Sequence, residues 1–471
     1  MSGAFWTPER VGDALGPDAA LRGDPAVFAF EAVQTDTREL ADGALFVALR
    51  GERFDGHEFL AEAARAGAMG AVVDRAWWQE HGGNVPDLLA CFVVPDTLAA
   101  LGRLGNFRRR ALDARVCAIT GTNGKTSTKE MARAALSPRY TVHATTENLN
   151  NLVGTPLTLL SAPEGADALV VEIGTNAPGE IERLTDIVEP DVGIVTTVAE
   201  GHLEGLESLE GVLIEKTALV AGLGPDGLAL VGEEPASLPE RARALHPRVM
   251  VAGWTPRADA ALRAEDVRLD EEGRPHFRWR GHEVRLQFRG RHHVPNGLLA
   301  LGLAAEWGVP EADAVRALGE QASFRMRTEL RQAGTLRVLV DCYNANPAST
   351  EAAVDLLTAL PRGSGRVAVV GSMLELGRDS AALHERTAHA LAERDLDLIV
   401  ATGEFASAFA SLEGALGERL VRVPDPEDAA AVLEERLRGG EVVLLKGSRG
   451  VALERLLPAL ESLGGAEGEG G

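Results

Sequence analysis

Short apolar runs alternate with helix-like segments through most of this 471-residue chain, and this alternation limits the folds that it can adopt. The runs VCAI, ALVV and LALV are apolar at every position rather than at every second one. A strand of that kind is buried on both faces, as in a parallel sheet covered by helices. The pattern therefore predicts an α/β protein with doubly wound, mainly parallel sheets.

The alternation restarts twice, which predicts three domains. A chain of this length also accommodates about three domains of about 150 residues each. Residues 1–112 form a small N-terminal α/β domain. Residues 113–325 form a central domain with a mainly parallel sheet and an antiparallel meander on its edge, at residues 266–289. Residues 326–471 form a C-terminal Rossmann-like α/β domain.

Composition excludes several classes of function. The chain has 70 acidic and 47 basic residues, and its net charge of −23 argues against a general nucleic-acid or anionic-membrane surface. Cys91, Cys117 and Cys342 lie far apart in apolar runs, so we expect buried, reduced thiols. The N-terminal residues lack the pattern of a signal peptide, and no run approaches the roughly 20 apolar residues of a membrane span. We therefore expect a soluble, cytoplasmic protein.

A glycine-rich loop follows the strand VCAIT and precedes the helix-like stretch KTSTKEMARAAL. Its sequence, GTNGKT, is two residues shorter between its glycines than the usual phosphate-binding loop. Strand, glycine loop and helix start together present backbone N–H groups and partial positive charge to phosphates. We expect Lys125 to reach the β- and γ-phosphates of ATP and Thr126 to bind Mg²⁺. The expected nucleotide contacts of this loop are Gly121, Thr122, Asn123, Gly124, Lys125, Thr126 and Ser127.

Three further side chains indicate a metal site beside this loop. Glu172 and His202 each follow an apolar strand, at the carboxyl edge where open α/β sheets bind ligands. Taken singly, Glu172 is as readily a loop acid and His202 a packed polar residue. Lys216 lies within an apolar stripe of a predicted helix, and it is one of only four lysines in the chain. A buried ammonium must find a partner, lose its charge or be modified, and an amine modified by CO₂ is a carbamate suited to Mg²⁺. The alternative is a lysine that extends from the edge of the stripe into water.

Other polar residues lie at predicted strand ends and helix starts. Asn296 begins a helix and either contacts the base or ribose or serves as an N-cap. The segments DCYNANP and KGSRG follow two strands of the third domain, which predicts a binding edge there, with turn chemistry as the alternative. The candidates at this edge are Asp341, Tyr343, Asn344, Lys446, Ser448 and Arg449.

These motifs together resemble the Mur ligase family of ATP-dependent amide-forming enzymes, in which the loop has the short G-x-x-G-K-T form. The resemblance extends along nearly the whole chain and includes TDTRELADGALFVALRGERFDGHEF, TTENLNN, VVEIGTNAPGEI, HLEGLESLEGVLIEK, YNANP, MLELG and LLKGSRG. It implies that the three domains bind a UDP-sugar, ATP and the incoming amino component, respectively. The expected substrates are UDP-N-acetylmuramoyl-tripeptide and D-Ala-D-Ala, which are joined through an acyl phosphate.

The resemblance also implies roles for individual residues. Lys125, His202 and Lys216 would be catalytic, and Lys216 would be carbamylated. Thr126, Glu172, His202 and Lys216 would serve Mg²⁺, while Asn296, Arg327 and Asp341 would contact ATP. The substrate-binding residues would be Thr35, Asp36, Arg38, Asn148, Asn151, Tyr343, Asn344, Lys446, Ser448 and Arg449. The protein would act as a monomer on small molecules, with no nucleic acid and no membrane insertion.

Two rival functions remain open at this stage. One is a related amide ligase that adds another amino acid to the same precursor, or a folylpolyglutamate synthase. The other is a P-loop NTPase or kinase that forms no amide bond.

Overall fold

The computed structural model describes residues 5–22, 29–51, 53–82, 85, 89–322 and 326–465. The strands are β1 (Ala20–Arg22), β2 (Val33–Gln34), β3 (Leu45–Val47), β4 (Gly70–Asp74), β5 (Ala90–Val94), β6 (Arg115–Thr120), β7 (Val142–Ala144), β8 (Ala168–Glu172), β9 (Val192–Val195), β10 (Leu228–Gly232), β11 (Val249–Ala252), β12 (Glu265–Leu269), β13 (Pro275–Trp279), β14 (His282–Arg285), β15 (Glu329–Ala333), β16 (Leu336–Asp341), β17 (Arg366–Val370), β18 (Leu398–Thr402), β19 (Leu420–Val423) and β20 (Val442–Lys446).

The α-helices are α1 (Pro8–Leu15), α2 (Leu60–Arg65), α3 (Arg75–His81), α4 (Thr97–Ala111), α5 (Lys125–Leu136), α6 (Gly154–Leu160), α7 (Glu180–Val188), α8 (Leu203–Leu206), α9 (Leu209–Ala221), α10 (Ser237–Leu245), α11 (His293–Glu306), α12 (Glu311–Glu320), α13 (Pro347–Ala359), α14 (Ser380–Ala392), α15 (Glu404–Ala408), α16 (Glu413–Leu416), α17 (Ala429–Arg436) and α18 (Leu457–Gly465). Within the described ranges, no helix is both long and apolar enough to cross a membrane.

The chain divides into two compact units. One unit comprises Met1–Ala118, Tyr140–Gly174 and Glu180–Asp191, and the other comprises Ile119–Arg139, Thr175–Gly179 and Val192–Gly471. The strand β6 begins in the first unit and ends in the second.

The first unit contains a sheet with the strand order β1-β5-β4-β3-β2. Its strands β2 to β5 are parallel, and β1 is antiparallel to β5. The helix α4 begins after Asp96, whose carboxylate accepts hydrogen bonds from the N–H groups of Leu98 and Ala99. Its residues Leu101 and Leu104 are fully buried in the core of this sheet. In the same unit, β7 and β8 form a parallel pair that leads to Glu172.

The second unit contains the parallel strands β9, β10 and β11. Every residue of β10 is buried, as the continuous run LALVG predicts. The helix α11 carries fully buried leucines on several sides, including Leu298, Leu299 and Leu301, because it lies within this part of the core.

The antiparallel meander predicted at residues 266–289 is present as β12, β13 and β14, but these strands form a sheet of their own. The expectation that the meander lies on the edge of the parallel sheet is therefore corrected. The alternating residues specify antiparallel strands, but they do not specify the neighbour with which an edge strand pairs.

The C-terminal sheet region (residues 329–465) has the strand order β15-β16-β20-β17-β18-β19. Its strands are parallel except for β15, which is antiparallel to β16. Buried residues from β16, β17, β18 and β20 form its core. The carboxyl ends of the neighbouring strands β16 and β20 bring Asp341 and Lys446 into register at one edge. The chain is therefore an α/β protein with the Rossmann-like C-terminal sheet that the sequence predicts.

Candidate active site

The glycine loop lies between the end of β6 and the start of α5, as predicted. Gly121 has φ of 139° and Gly124 has φ of 84°, which favour glycine. A Cβ atom on Gly121 would lie 2.0 Å from Thr196 Oγ1, and one on Gly124 would lie 2.7 Å from Asn296 Oδ1. Both glycines are therefore required by conformation and by space.

The residues after β9 hold the loop in place. The N–H of Thr122 donates to Thr197 O at 2.8 Å, and Thr196 Oγ1 donates to the carbonyl oxygen of Asn123 at 2.5 Å. Lys125 Nζ donates to Gly121 O at 2.9 Å, so its ammonium lies across the loop. These contacts fix the loop in a shape that places Lys125 and Thr126 at the start of α5, where the helix dipole favours phosphate.

His202 lies beyond β9 and precedes α8. Its Nδ1 lies 2.8 Å from Glu375 Oε2, in the C-terminal sheet region. The hydrogen bond to Glu375 raises the pKa of His202, but burial and the positive charges of Lys125 and Lys216 outweigh it, and the pKa lies below its usual value. The neutral imidazole is the form that binds metals.

Lys216 lies on α9 and is fully buried, with 0% of the residue exposed. The neighbouring positions of the predicted stripe, Val212, Leu213, Leu219 and Val220, are buried as well, while Leu209 is exposed at the start of the helix. The sequence interpretation of a lysine that extends into water is therefore wrong.

Glu172 ends β8 in the first unit, and it is 2% exposed. Its Oε1 accepts a hydrogen bond from Asn150 Nδ2 at 2.8 Å. Its Oε2 is buried, and it has no hydrogen-bond partner among the described residues. Because a buried carboxylate oxygen requires a partner, this atom is suited to a cation.

Arg327 lies against the phosphate loop. Its guanidinium donates to Thr126 Oγ1 at 3.1 Å and lies over the ring of Tyr343, 4.0 Å from the centroid. The residues on either side, Met326 and Thr328, both have left-handed backbone conformations, with φ of 61° and 48°. The N–H of Thr328 donates to Asp341 Oδ1 at 3.3 Å, which connects this segment to the end of β16.

Asn296 lies inside the first turn of α11, which begins at His293. The alternative that Asn296 is an N-cap is therefore wrong. The side chain is buried beside Gly124, and its Nδ2 lies 3.2 Å from His293 Nδ1.

The predicted binding edge of the C-terminal sheet region forms, but much of it is bound to protein groups. Lys446 Nζ lies 2.8 Å from Asp341 Oδ2 and donates to Asn344 O at 2.7 Å. Ser448 Oγ accepts a hydrogen bond from the N–H of Leu374 at 2.9 Å. Tyr343 and Arg449 are exposed at this edge. Lys446 therefore organises the edge in this structure, and substrate contacts of these residues stay a prediction.

Replacing the buried Lys446 by methionine is expected to destabilise the protein by about 3–5 kcal/mol, because the partly buried Asp341 carboxylate loses its counter-charge. The matched control is Arg362→Met, which removes an exposed cation that pairs with Asp395 and Asp397 and should cost less than about 1 kcal/mol. Urea unfolding followed by tryptophan fluorescence measures both. Equal midpoints for the two variants would contradict the structural role of Lys446.

The predicted substrate residues of the first unit lie in two loops. Asp36 accepts hydrogen bonds from the side chain and the N–H of Arg38, and these bonds lower the pKa of Asp36 to about 2. Thr35 is half-buried next to Asp36. Asn148 is exposed, and Asn151 Oδ1 accepts the N–H groups of Val153 and Gly154 at the start of α6. Contacts of these side chains with a substrate stay a prediction.

Sequence reasoning missed several residues that the structure brings to the site. Glu375 contacts His202, Asn150 contacts Glu172, and Asn346 contacts Asn123 of the loop. Only Asn346 has a local signal, because an asparagine before a proline at a helix start predicts an N-cap. The partners of all three residues are distant in sequence.

Comparison with known proteins gives matches along most of the chain. Residues 29–109 match the Mur ligase family catalytic domain, residues 119–304 the Mur ligase middle domain, and residues 326–449 the Mur ligase glutamate ligase domain. The chain is 34% identical to the UDP-N-acetylmuramoyl-tripeptide–D-alanyl-D-alanine ligase of Bacillus subtilis, over 91% of this chain and 92% of that protein.

Two solved structures are similar as well. MurF from Acinetobacter baumannii has a TM-score of 0.86 and 31% identity, with 97% of this chain and 99% of that chain covered. MurF from Thermotoga maritima in complex with ADP has a TM-score of 0.80 and 26% identity, with 92% and 97% covered. The matches cover the phosphate loop, the Arg327 segment and the edge formed by Asp341 and Lys446, and the chain therefore belongs to the Mur ligase family.

Proposed function

We propose that this protein is the ATP-dependent ligase that joins D-alanyl-D-alanine to UDP-N-acetylmuramoyl-tripeptide, a step of peptidoglycan precursor synthesis. The observation that carries the proposal is the GTNGKT loop at the end of β6, with Lys125 across it and Arg327 on Thr126. Family membership favours an amide ligase over an NTPase or kinase that forms no amide bond. The similarity to dipeptide-adding ligases over nine-tenths of the chain favours this substrate pair over single amino acids or folates.

The first chemical step makes the carboxyl group of the tripeptide reactive. A carboxylate oxygen attacks the γ-phosphorus of ATP, the bond to the β-phosphate oxygen breaks, and ADP leaves with that electron pair. Lys125 and the loop N–H groups counter the negative charge that otherwise repels the attacking carboxylate. The product is an acyl phosphate.

Mg²⁺ fits the polar groups near the loop. When bound, it would neutralise phosphate charge and orient the γ-phosphate. The predicted ligands are Thr126 and His202, together with Glu172, whose buried Oε2 is suited to a cation. Among the described residues, His, Cys, Asp and Glu side chains form no cluster of three or more that could hold a metal. Sites for Mg²⁺ on nucleotides commonly use one or two carboxylates together with phosphate and water.

Lys216 is proposed to carry a carbamate. Its complete burial on an apolar face makes a charged ammonium costly. After loss of a proton, the amine adds to CO₂, an N–C bond forms, and a second proton passes to solvent. The resulting carboxylate changes the charge at this position from positive to negative, which suits a neighbouring Mg²⁺.

In the second step, the neutral amine of the dipeptide attacks the acyl carbon, the tetrahedral intermediate expels phosphate, and the nitrogen loses one proton to solvent to leave an amide. We propose that Tyr343, Asn344, Ser448 and Arg449 bind the dipeptide and that Lys446 supports them. The UDP-muramoyl substrate would be bound by Thr35, Asp36, Arg38, Asn148 and Asn151. We further propose that the domain boundaries lie at residues 112/113 and 325/326. The protein would act as a monomer in the cytoplasm.

A substrate panel tests the function. The purified protein with ATP and Mg²⁺ should release phosphate when given UDP-N-acetylmuramoyl-tripeptide and D-Ala-D-Ala, and mass spectrometry should detect the joined product. Single D- and L-amino acids, and folate with glutamate, should give no product. Phosphate release that requires no acceptor amine, or product formation only with folate, would overturn the proposal.

A further inference from the structure

Asn346, in the C-terminal sheet region, reaches the phosphate loop. The residue is 4% exposed. Its Nδ2 donates to Asn123 Oδ1 at 2.8 Å, and its Oδ1 accepts from Asn123 Nδ2 at 3.2 Å. The two amides therefore form a reciprocal pair between residues 223 positions apart in sequence.

The orientation of the Asn346 amide is set by a helix start. Asn346 is the N-cap of α13, and its Oδ1 also accepts the N–H of Ser349 at 2.9 Å. Ser349 Oγ in turn accepts the N–H of Asn346 at 3.0 Å, which completes a capping box. Because Oδ1 must face the helix, Nδ2 has to face Asn123.

Asn123 occupies the centre of the loop, between Gly121 and Gly124. Its carbonyl oxygen accepts Thr196 Oγ1, and its side chain is held by Asn346. The two contacts fix the residue from opposite ends, which limits the rotations of the peptide groups that face phosphate. A loop that is already in its binding shape loses less conformational entropy when the nucleotide binds.

We propose that Asn346 is a positioning residue of the phosphate loop, and that it makes nucleotide affinity depend on the placement of the C-terminal sheet region. The proposal rests on the proposed function in one respect, that this loop binds ATP. It goes beyond that function because it assigns to Asn346 a role in the nucleotide site that is separate from capping α13.

The experiment separates the two roles of Asn346. Asn346→Ser keeps a side-chain oxygen for the cap but loses the amide pair. Ser349→Ala weakens the same capping box but leaves the amide pair intact. Asn123→Ala removes the pair from the loop side, and the double variant Asn123→Ala/Asn346→Ser closes a mutant cycle. For each protein, the Kd of a fluorescent ATP analogue, the KM for ATP, kcat and Tm are measured.

We expect Asn346→Ser and Asn123→Ala each to weaken analogue binding and raise the KM for ATP about five- to tenfold, since each loses the two partly buried hydrogen bonds of the amide pair. The double variant should bind the analogue with a Kd no higher than that of the single variant with the higher Kd. Ser349→Ala should lower Tm and leave the Kd within about twofold of the original protein, because it affects the cap alone.

Equal Kd changes in Ser349→Ala and Asn346→Ser would overturn the proposal, since capping alone would then explain the effect. Additive changes in the double variant, or an unchanged Kd in Asn346→Ser, would do the same. Analogue binding does not require ligase turnover. Absence of the joined product in the substrate panel therefore contradicts the proposed function alone, while the mutant cycle still decides the role of Asn346.

Discussion

Lys125→Ala is expected to lower kcat/KM for ATP by about 10²–10³-fold, the usual cost of losing one donor to a charge that develops in the transition state. In the structure, Lys125 Nζ is bound to Gly121 O, so its position next to the loop is already set. On nucleotide binding this ammonium would exchange a carbonyl oxygen for phosphate oxygens, which are the stronger partners because they are charged. Steady-state phosphate release at saturating acceptor measures the effect.

Lys125→Arg is the matched control for this variant. It keeps the positive charge but replaces a compact ammonium by a planar guanidinium that does not fit the same position. We expect it to recover little of the activity. Recovery to near the original rate would show that charge alone is needed, and an alanine variant with undiminished kcat/KM would remove Lys125 from the chemistry.

Lys216→Ala is expected to lower kcat by a similar factor, about 10²–10³-fold, because the variant cannot form the proposed carbamate, a carboxylate near the transferred phosphoryl group. Acetate or another short carboxylate should partly restore the rate, since the shortened side chain leaves room for it. Omission of CO₂ and bicarbonate should slow the protein with the original sequence but leave the Lys216→Ala variant unaffected. Rate measurements across an acetate series test both expectations.

Lys216→Met controls for the loss of buried side-chain volume, because methionine is apolar and of similar length. It should be as inactive as the alanine variant but resistant to rescue, since its side chain fills the space. Activity at the original level in either variant would exclude the carbamate. A carbonyl signal at Lys216 after incubation with ¹³C-labelled bicarbonate, observed by NMR, would support it independently of turnover.

The parts of the site that sequence predicted are those encoded locally. The GTNGKT loop needs only a buried strand before it and a helix after it, and both follow from short-range patterns. Lys216 could be placed because the apolar spacing of its own helix puts position 216 on the buried face. Asn296 lies in the predicted helix, but that helix starts four residues earlier than an N-cap role of Asn296 requires.

The contacts that sequence missed join distant segments. Glu375 contacts His202, which lies 173 residues earlier in the sequence, and nothing in the MLELG motif predicts which side chain Glu375 contacts. The same is true of Arg327 and Thr126, whose contact depends on the path of the chain after α12. A substrate contact of Lys446 stays a prediction, but its pairing with Asp341 was missed; parallel neighbouring strands place both residues at the same register.

The backbone around Arg327 has a mechanical consequence. With left-handed residues on both sides and its guanidinium stacked on Tyr343, this arginine has little freedom to move separately from the chain that carries it. A rotation of the C-terminal sheet region about this segment would therefore withdraw the guanidinium from Thr126 in the same movement. The contact between Arg327 and Thr126 and the orientation of the C-terminal sheet region would therefore change together.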